Sequence, residues 1–355
     1  AMKAKAEGRP VIWSASIGMQ ELLETMDITV VYPENQAAAI GARKCAPELI
    51  ANAEGRGYST DLCSYARVNI GYSEVADSPA QNIPLPDAVF CCDNLCHTVM
   101  KWYENLAKDL NIPMIHIHAP FVYDDAVPER SIKYMRAEVD YAIQQLEELS
   151  GKKFDYDKLA EVMHNSTQTA YWWKKAYSLG SIVPSPLSGF DMFNYMAVAV
   201  CMRGKKEGAE LFKLWHDELA ARAEAGMGPW KEGEEELYRV MWDGIACWPN
   251  LSFTFKTLKK YGINMVCSTY PDIWNLQYDE NSLDSLCDAY AKHYANRNLK
   301  FSAEKIAGLV DEYKLDGIIF HSNRSCKLMD FRTYEIQRQV QEKTGIPSVI
   351  FDGDQ

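Results

Sequence analysis

Asp316-Gly-Ile-Ile-Phe-His-Ser-Asn-Arg-Ser-Cys326 reads as a buried strand, a polar loop and a cysteine at the start of a helix. A helix-like stretch follows to Thr344, and Gly345-Ile-Pro-Ser-Val-Ile-Phe351 opens another strand. The same layout occurs earlier in the chain. Asp87-Ala-Val-Phe-Cys-Cys-Asp-Asn-Leu-Cys96 leads into a helix-like stretch to Leu110 and then Asn111-Ile-Pro-Met-Ile-His-Ile117. Strand, helix, strand in that order implies parallel neighbours joined by a crossover, and its recurrence implies two parallel sheets.

Outward from these segments, further apolar runs end in polar or Gly/Pro residues: Val11-Ile-Trp-Ser14, Ile28-Thr-Val-Val-Tyr32, Leu237-Tyr-Arg-Val-Met-Trp242 and Ile263-Asn-Met-Val-Cys267. Helical periods lie between them, clearest at Met19-Gln-Glu-Leu-Leu-Glu-Thr-Met26 and from Thr98 to Leu106. A helical region is expected from Val127 to about Tyr177, and another from Tyr195 to about Ala225. The cluster Pro184-Ser-Pro-Leu-Ser-Gly-Phe-Asp191 is a loop signal between them. The expected architecture is α/β. Two doubly wound, flavodoxin- or Rossmann-like parallel-sheet domains, residues 1–126 and 231–355, flank a mainly helical connecting region, 127–230. The domains are expected to face each other across the ligand cleft.

A chain of 355 residues at 47% hydrophobic buries enough surface for two such domains. A net charge of −12 argues against a nucleic-acid partner, since phosphate binding needs a basic face. No run of 18 apolar residues is present, so no membrane span is expected. Ala1-Met-Lys-Ala-Lys-Ala-Glu-Gly-Arg-Pro10 lacks the apolar core of a secretory signal, which makes the cytoplasm the expected compartment.

Ten cysteines in a reducing compartment point to metal or redox chemistry before disulfides. Cys201, Cys247, Cys267 and Cys287 sit in apolar runs and read as small core residues, as does Cys45. Cys63, Cys96 and Cys326 differ, because each lies in a polar loop beside turn or cap residues. In Gly57-Tyr-Ser-Thr-Asp-Leu-Cys-Ser-Tyr-Ala-Arg67, Thr60 or Asp61 is expected to cap a helix starting near Cys63. A helix N-terminus offers unsatisfied N–H groups and positive potential, which favour the thiolate. Three thiolates are too few for a closed zinc site, but they suit an iron–sulfur cluster with one iron left open.

Ligands of open parallel sheets gather beyond the carboxyl ends of the strands. That rule selects Ser14-Ala-Ser-Ile-Gly18, Pro33-Glu-Asn35, Cys92-Asp-Asn-Leu-Cys96 and His321-Ser-Asn-Arg-Ser-Cys326. Glu34 is a candidate general base or acid there, and Ser16 a candidate donor to a substrate hydroxyl or carbonyl. Each also has an ordinary reading as a cap or turn residue. His97 and His321 flank the cysteine loops and read as packing residues.

The chain resembles the 2-hydroxyacyl-CoA dehydratase family, which includes benzoyl-CoA reductase subunits. The resemblance rests on Val30-Val-Tyr-Pro-Glu-Asn35, Tyr58-Ser-Thr-Asp-Leu-Cys-Ser-Tyr-Ala-Arg67, Cys92-Asp-Asn-Leu-Cys-His-Thr-Val-Met-Lys-Trp-Tyr-Glu104, and Asp316-Gly-Ile-Ile-Phe-His-Ser-Asn-Arg-Ser-Cys-Lys327 running on to Gly345-Ile-Pro. It implies a 4Fe–4S cluster held by Cys63, Cys96 and Cys326, with one open iron site. For the second ligand, Cys96 fits the family's cysteine that opens a helix with a glutamate two turns on, and Cys92-Asp93 is the alternative. The resemblance also implies a homologous second subunit in a heterodimer, an ATP-dependent iron–sulfur activator and an acyl-CoA substrate. The implied reaction removes water from an (R)-2-hydroxyacyl-CoA, giving an (E)-2-enoyl-CoA through a ketyl radical. A benzoyl-CoA reductase-type subunit and a non-catalytic electron-relay subunit are the alternatives.

Overall fold

The computed structural model describes residues 1–354. The first sheet is built from β1 (Val11–Ser14), β2 (Thr29–Val31), β3 (Ala88–Cys92) and β4 (Met114–Ile117), in the order β2-β1-β3-β4. The second contains β5 (Tyr238–Asp243), β6 (Ile263–Ser268), β7 (Gly317–Asn323) and β8 (Ser348–Gly353), in the order β6-β5-β7-β8. Every pairing in both sheets is parallel. The two orders are one permutation used twice, so the sequence repeat is a repeat of topology.

Register makes the equivalence residue-specific. Phe90 of β3 stands beside Ser14 of β1, and Phe320 of β7 stands beside Asp243 of β5. The same number of residues on from each phenylalanine lies Cys96 or Cys326, and each is the N-cap of the next helix, His97–Leu110 or Lys327–Thr344. Both helices end on a left-handed residue, Asn111 or Gly345, and the chain then re-enters the sheet through Ile-Pro.

Contacts divide the chain into two compact units, each holding one sheet: residues 1–167 with 278–296, and residues 168–277 with 297–354. In the first, Val11, Ile12, Trp13, Val89 and Phe90 are fully buried, as expected for strands covered on both faces. Residues 278–296 join this unit through hydroxyl donors to the buried Glu21 carboxylate, Tyr278 at 2.9 Å and Tyr290 at 2.6 Å. In the second unit one face of the sheet packs Met241, Ile318 and Phe320 against Ala303, Ile306, Ile336 and Val340. The other packs Val240, Trp242 and Met265 against Phe190 and Phe193.

Four local expectations change. The helical stretch from Val127 is two helices, Glu129–Ser150 and Tyr156–Ser178, because Gly151 ends the first in a left-handed conformation. The later stretch is also two, Gly189–Cys201 and Lys206–Glu224. Its start lies inside the proline–serine cluster, where Ser188 and Asp191 form a capping box. Cys201 is exposed, not core, since it falls outside the buried stripe of Phe190, Phe193, Met196 and Val200. Cys45 is half-buried, whereas Cys247, Cys267 and Cys287 are buried as expected. No helix among the described residues is long and apolar enough to cross a membrane.

Candidate active site

In the first sheet β1 has β2 on one side and β3 on the other, so the loops leaving β1 and β3 part at the switch point of the sheet. The loop after β1 is a tight turn. The Ala15 N–H donates to the Phe90 carbonyl at 2.9 Å, and the Gly18 N–H donates back to the Ala15 carbonyl at 2.8 Å. A Cβ on Gly18 would stand 2.6 Å from Ser14 Oγ and 3.1 Å from Phe90 Cδ1, so glycine is what lets the turn close over β3. Ser16 sits at its crest and is buried.

Beyond β2 the chain turns directly into the helix Pro33–Ala42. Proline at its first position presets the backbone, and Glu34 lies in the first turn, where helix polarity favours a carboxylate. Glu34 is buried. Its Oε1 accepts from the Ser16 N–H at 3.0 Å and from Ser16 Oγ at 3.2 Å, while Oε2 accepts from the Tyr103 hydroxyl at 3.1 Å. Burial pushes the carboxyl above its ordinary value, and the donors from Ser16 and Tyr103 pull against that without overcoming it. The result is a carboxyl that holds a proton more readily than one in water, with both oxygens aimed by fixed donors.

Tyr103 lies on the helix that Cys96 begins. Val99, Trp102, Tyr103, Leu106 and Ala107 form its buried stripe. Trp102 Nε1 donates to Asn69 Oδ1 at 2.9 Å, and Asn69 donates to Gln36 at 3.3 Å, so polar contacts tie this helix to Ser64–Val75 and to the helix bearing Glu34. Sequence reasoning named Ser16 and Glu34 but passed over Tyr103. The available signal was a hydroxyl on the apolar stripe of an amphipathic helix, where a phenol needs a partner.

All three loop cysteines are helix N-caps and half-buried: Cys63 before Ser64–Val75, Cys96 before His97–Leu110 and Cys326 before Lys327–Thr344. The cap expected at Thr60 or Asp61 falls on Cys63 itself, whose carbonyl accepts the first helical bond from Arg67 at 3.0 Å. Cys96 Sγ accepts from the Val99 N–H at 3.4 Å. Cys63 and Cys96 belong to the first unit, Cys326 to the second. Cys91 and Cys92 instead end β3 with no exposure, and burial raises both thiols well above their ordinary value. Burial likewise pushes Cys287 up to about 12. Burial thus sets Cys91 and Cys92 apart from the half-buried cysteines of the three loops. Among the described residues no three or more His, Cys, Asp or Glu side chains are grouped to hold a metal ion.

The histidines divide as packing and surface groups. His321 is buried, its Nδ1 lies 2.5 Å from the Ile245 carbonyl, its ring stacks on Phe351, and burial lowers its pKa. His97 is exposed. The rim holds a further acid that sequence reasoning left out. Asp93, just past β3, meets His118 Nδ1 at 2.5 Å and accepts from the Ala119 N–H at 2.7 Å. Burial opposes its charge, but the nearby His116 ring and the contacts with Ala119 and His118 win and hold it at about 2. It is a fixed anion joining the ends of β3 and β4.

Residues 18–355 match the family model described as 2-hydroxyglutaryl-CoA dehydratase, D-component. The (R)-2-hydroxyisocaproyl-CoA dehydratase alpha subunit of Clostridioides difficile is 48% identical over 357 residues, covering all of this chain and 87% of that protein. The (R)-phenyllactyl-CoA dehydratase alpha subunit of Clostridium sporogenes is 42% identical, covering 100% and 86%. The lactoyl-CoA dehydratase subunit alpha of Anaerotignum propionicum is 41% identical, covering 100% and 87%.

Proposed function

The chain belongs to the 2-hydroxyglutaryl-CoA dehydratase D-component family, and from that premise we propose that it is the iron–sulfur subunit of a 2-hydroxyacyl-CoA dehydratase. The observation that carries the reading is Glu34, a buried carboxyl held by Ser16 and Tyr103 at the switch point of the first sheet. Its partner is a second subunit, in keeping with relatives named as alpha subunits.

The chemistry asks for such a group. Eliminating water from a 2-hydroxyacyl thioester requires loss of a β-proton that is hardly acidic, while the acidic α-proton leads nowhere. One electron placed on the thioester carbonyl by an ATP-dependent activator makes a ketyl radical anion, which expels the 2-hydroxyl. The β-proton is then acidic enough for an ordinary carboxylate, and Glu34 takes it. The electron is recovered with the enoyl product, so the sum is loss of water alone. Ser16, whose Oγ donates to Glu34, would donate to the substrate oxygen by turning its hydroxyl away from the carboxylate. Cys63, Cys96 and Cys326 would hold a 4Fe–4S cluster. When bound, such a cluster supplies an open iron position as a Lewis acid for the departing hydroxide.

The test is anaerobic purification followed by iron and acid-labile sulfide analysis. A panel of 2-hydroxyacyl-CoA thioesters is then assayed with the partner subunit, activator and ATP. About four irons per chain and activator-dependent enoyl-CoA formation support the reading. An iron-free yet active protein, or reduction of an aromatic acyl ring without loss of hydroxyl, overturns it.

A further inference from the structure

We propose that Tyr103 is the positioning residue for Glu34, aiming its carboxylate through the phenol hydroxyl. The helix that starts at Cys96 then carries the control of the base as well as a cysteine at its N-terminus. The proposal rests on the reading of Glu34 as the proton-transfer group.

The two oxygens of Glu34 have separate donors, Oε1 from Ser16 and Oε2 from Tyr103. Ser16 rides on a loop, whereas Tyr103 is fully buried on a helix. The neighbouring Trp102 meets the Tyr103 ring edge-on at 5.2 Å and is itself tied to Asn69, so the helix has little room to turn. The other titratable groups near the pair are the Cys91 thiol of β3 and the Tyr32 phenol, which donates to Gln20 at 3.0 Å. Both are neutral in their ordinary state, so hydroxyl and N–H donors carry the carboxylate in a site where burial opposes its charge. Tyr103 cannot take the proton in place of Glu34, because burial drives its phenol well above the ordinary value. Its part is to donate.

Removing that donor stabilises the protonated carboxyl relative to the anion, so Glu34 should ionise only at higher pH. In Tyr103→Phe the ring and its packing remain. The acid limb of the pH–turnover profile should move up by about one unit, since a hydrogen bond to a charged group is of that order. Plateau turnover should fall, because one of the donors that aim the carboxylate is lost, while KM stays within a few-fold. Replacing Tyr103 with 3-fluorotyrosine, a stronger donor of nearly the same shape, should move the limb down.

An activity-independent readout is infrared titration of the Glu34 carboxyl in the purified holoprotein, assigned by the band lost in Glu34→Gln. Opposite shifts of its midpoint in the phenylalanine and fluorotyrosine variants establish Tyr103's hold on Glu34. A midpoint unmoved in both overturns it. Shifted midpoints together with undiminished turnover in Glu34→Gln uphold that hold and overturn the reading of Glu34 as the base.

Discussion

Ser16 binds one oxygen of Glu34 twice, through its N–H at 3.0 Å and its Oγ at 3.2 Å. The backbone bond survives any change of the Ser16 side chain, so the loop after β1 and the helix after β2 are coupled by main chain. The hydroxyl is the part that can turn toward a substrate. Placement of Glu34 thus depends on the loop's backbone, and its chemistry on the donors around it.

Glu34→Gln keeps the shape and loses the proton-accepting oxygen. Turnover should fall by roughly 10²–10⁴-fold, the usual contribution of a positioned acid or base. Deuterium exchange at the substrate β-carbon should fall with it, while iron content stays unchanged. Exchange at the wild-type rate would make Glu34 a structural rim residue.

Gly18→Ala tests the loop. The added methyl meets Ser14 Oγ and Phe90 Cδ1 inside ordinary contact distance, so the turn must shift. A displacement of about 1 Å at Ser16 should cost on the order of 10²-fold in turnover. Overpacking should also lower stability by about 1–3 kcal/mol. Turnover and denaturant midpoint, measured on the same preparation, check both.

Serine at Cys63, Cys96 or Cys326 should abolish iron–sulfur absorbance near about 400 nm, together with activity. Cys201→Ser should preserve both, because that thiol is exposed at the end of a helix. The second ligand is decided by comparing Cys92→Ser with Cys96→Ser. Full iron in the latter and loss in the former would assign ligation to Cys92.

Asp93 makes stability depend on pH with a definite sign. Its folded value, about 2, lies below the ordinary 3.8, so the unfolded chain binds the proton more readily. Its contribution is complete above 3.8 and is lost as pH falls toward 2. Urea midpoints of the wild type should therefore drop more steeply across that window than those of Asp93→Asn. Parallel curves would show that the His118 and Ala119 contacts add nothing to stability.

Dehydration should require the partner subunit, the activator and ATP together. Omitting ATP should leave no detectable turnover, because the thioester carbonyl then receives no electron. Sustained turnover by the isolated chain without reductant would replace the radical route with direct elimination.

Local physics explains what the sequence by itself determined. The repeated strand, polar loop, capping cysteine, amphipathic helix and Ile-Pro re-entry are each encoded within one element, by apolar period, helix-end chemistry and proline geometry. They were legible at Cys96 and Cys326 for that reason, as were Ser16 and Glu34, which end at the strand rim by rule. The breaks at Gly151 and at 202–205, and the helix start at Ser188, were not legible because a helical period does not mark where one helix stops and the next begins. Only the tertiary structure decided the contacts between distant segments. Tyr103 reaches Glu34 from 69 residues away, and Asp93 takes His118 from 25. Tyr278 and Tyr290 return residues 278–296 to the first sheet's unit through Glu21. An amphipathic stripe states which side chains are buried. Which partner each one meets is set by packing one element against another, and that information lies in no single element.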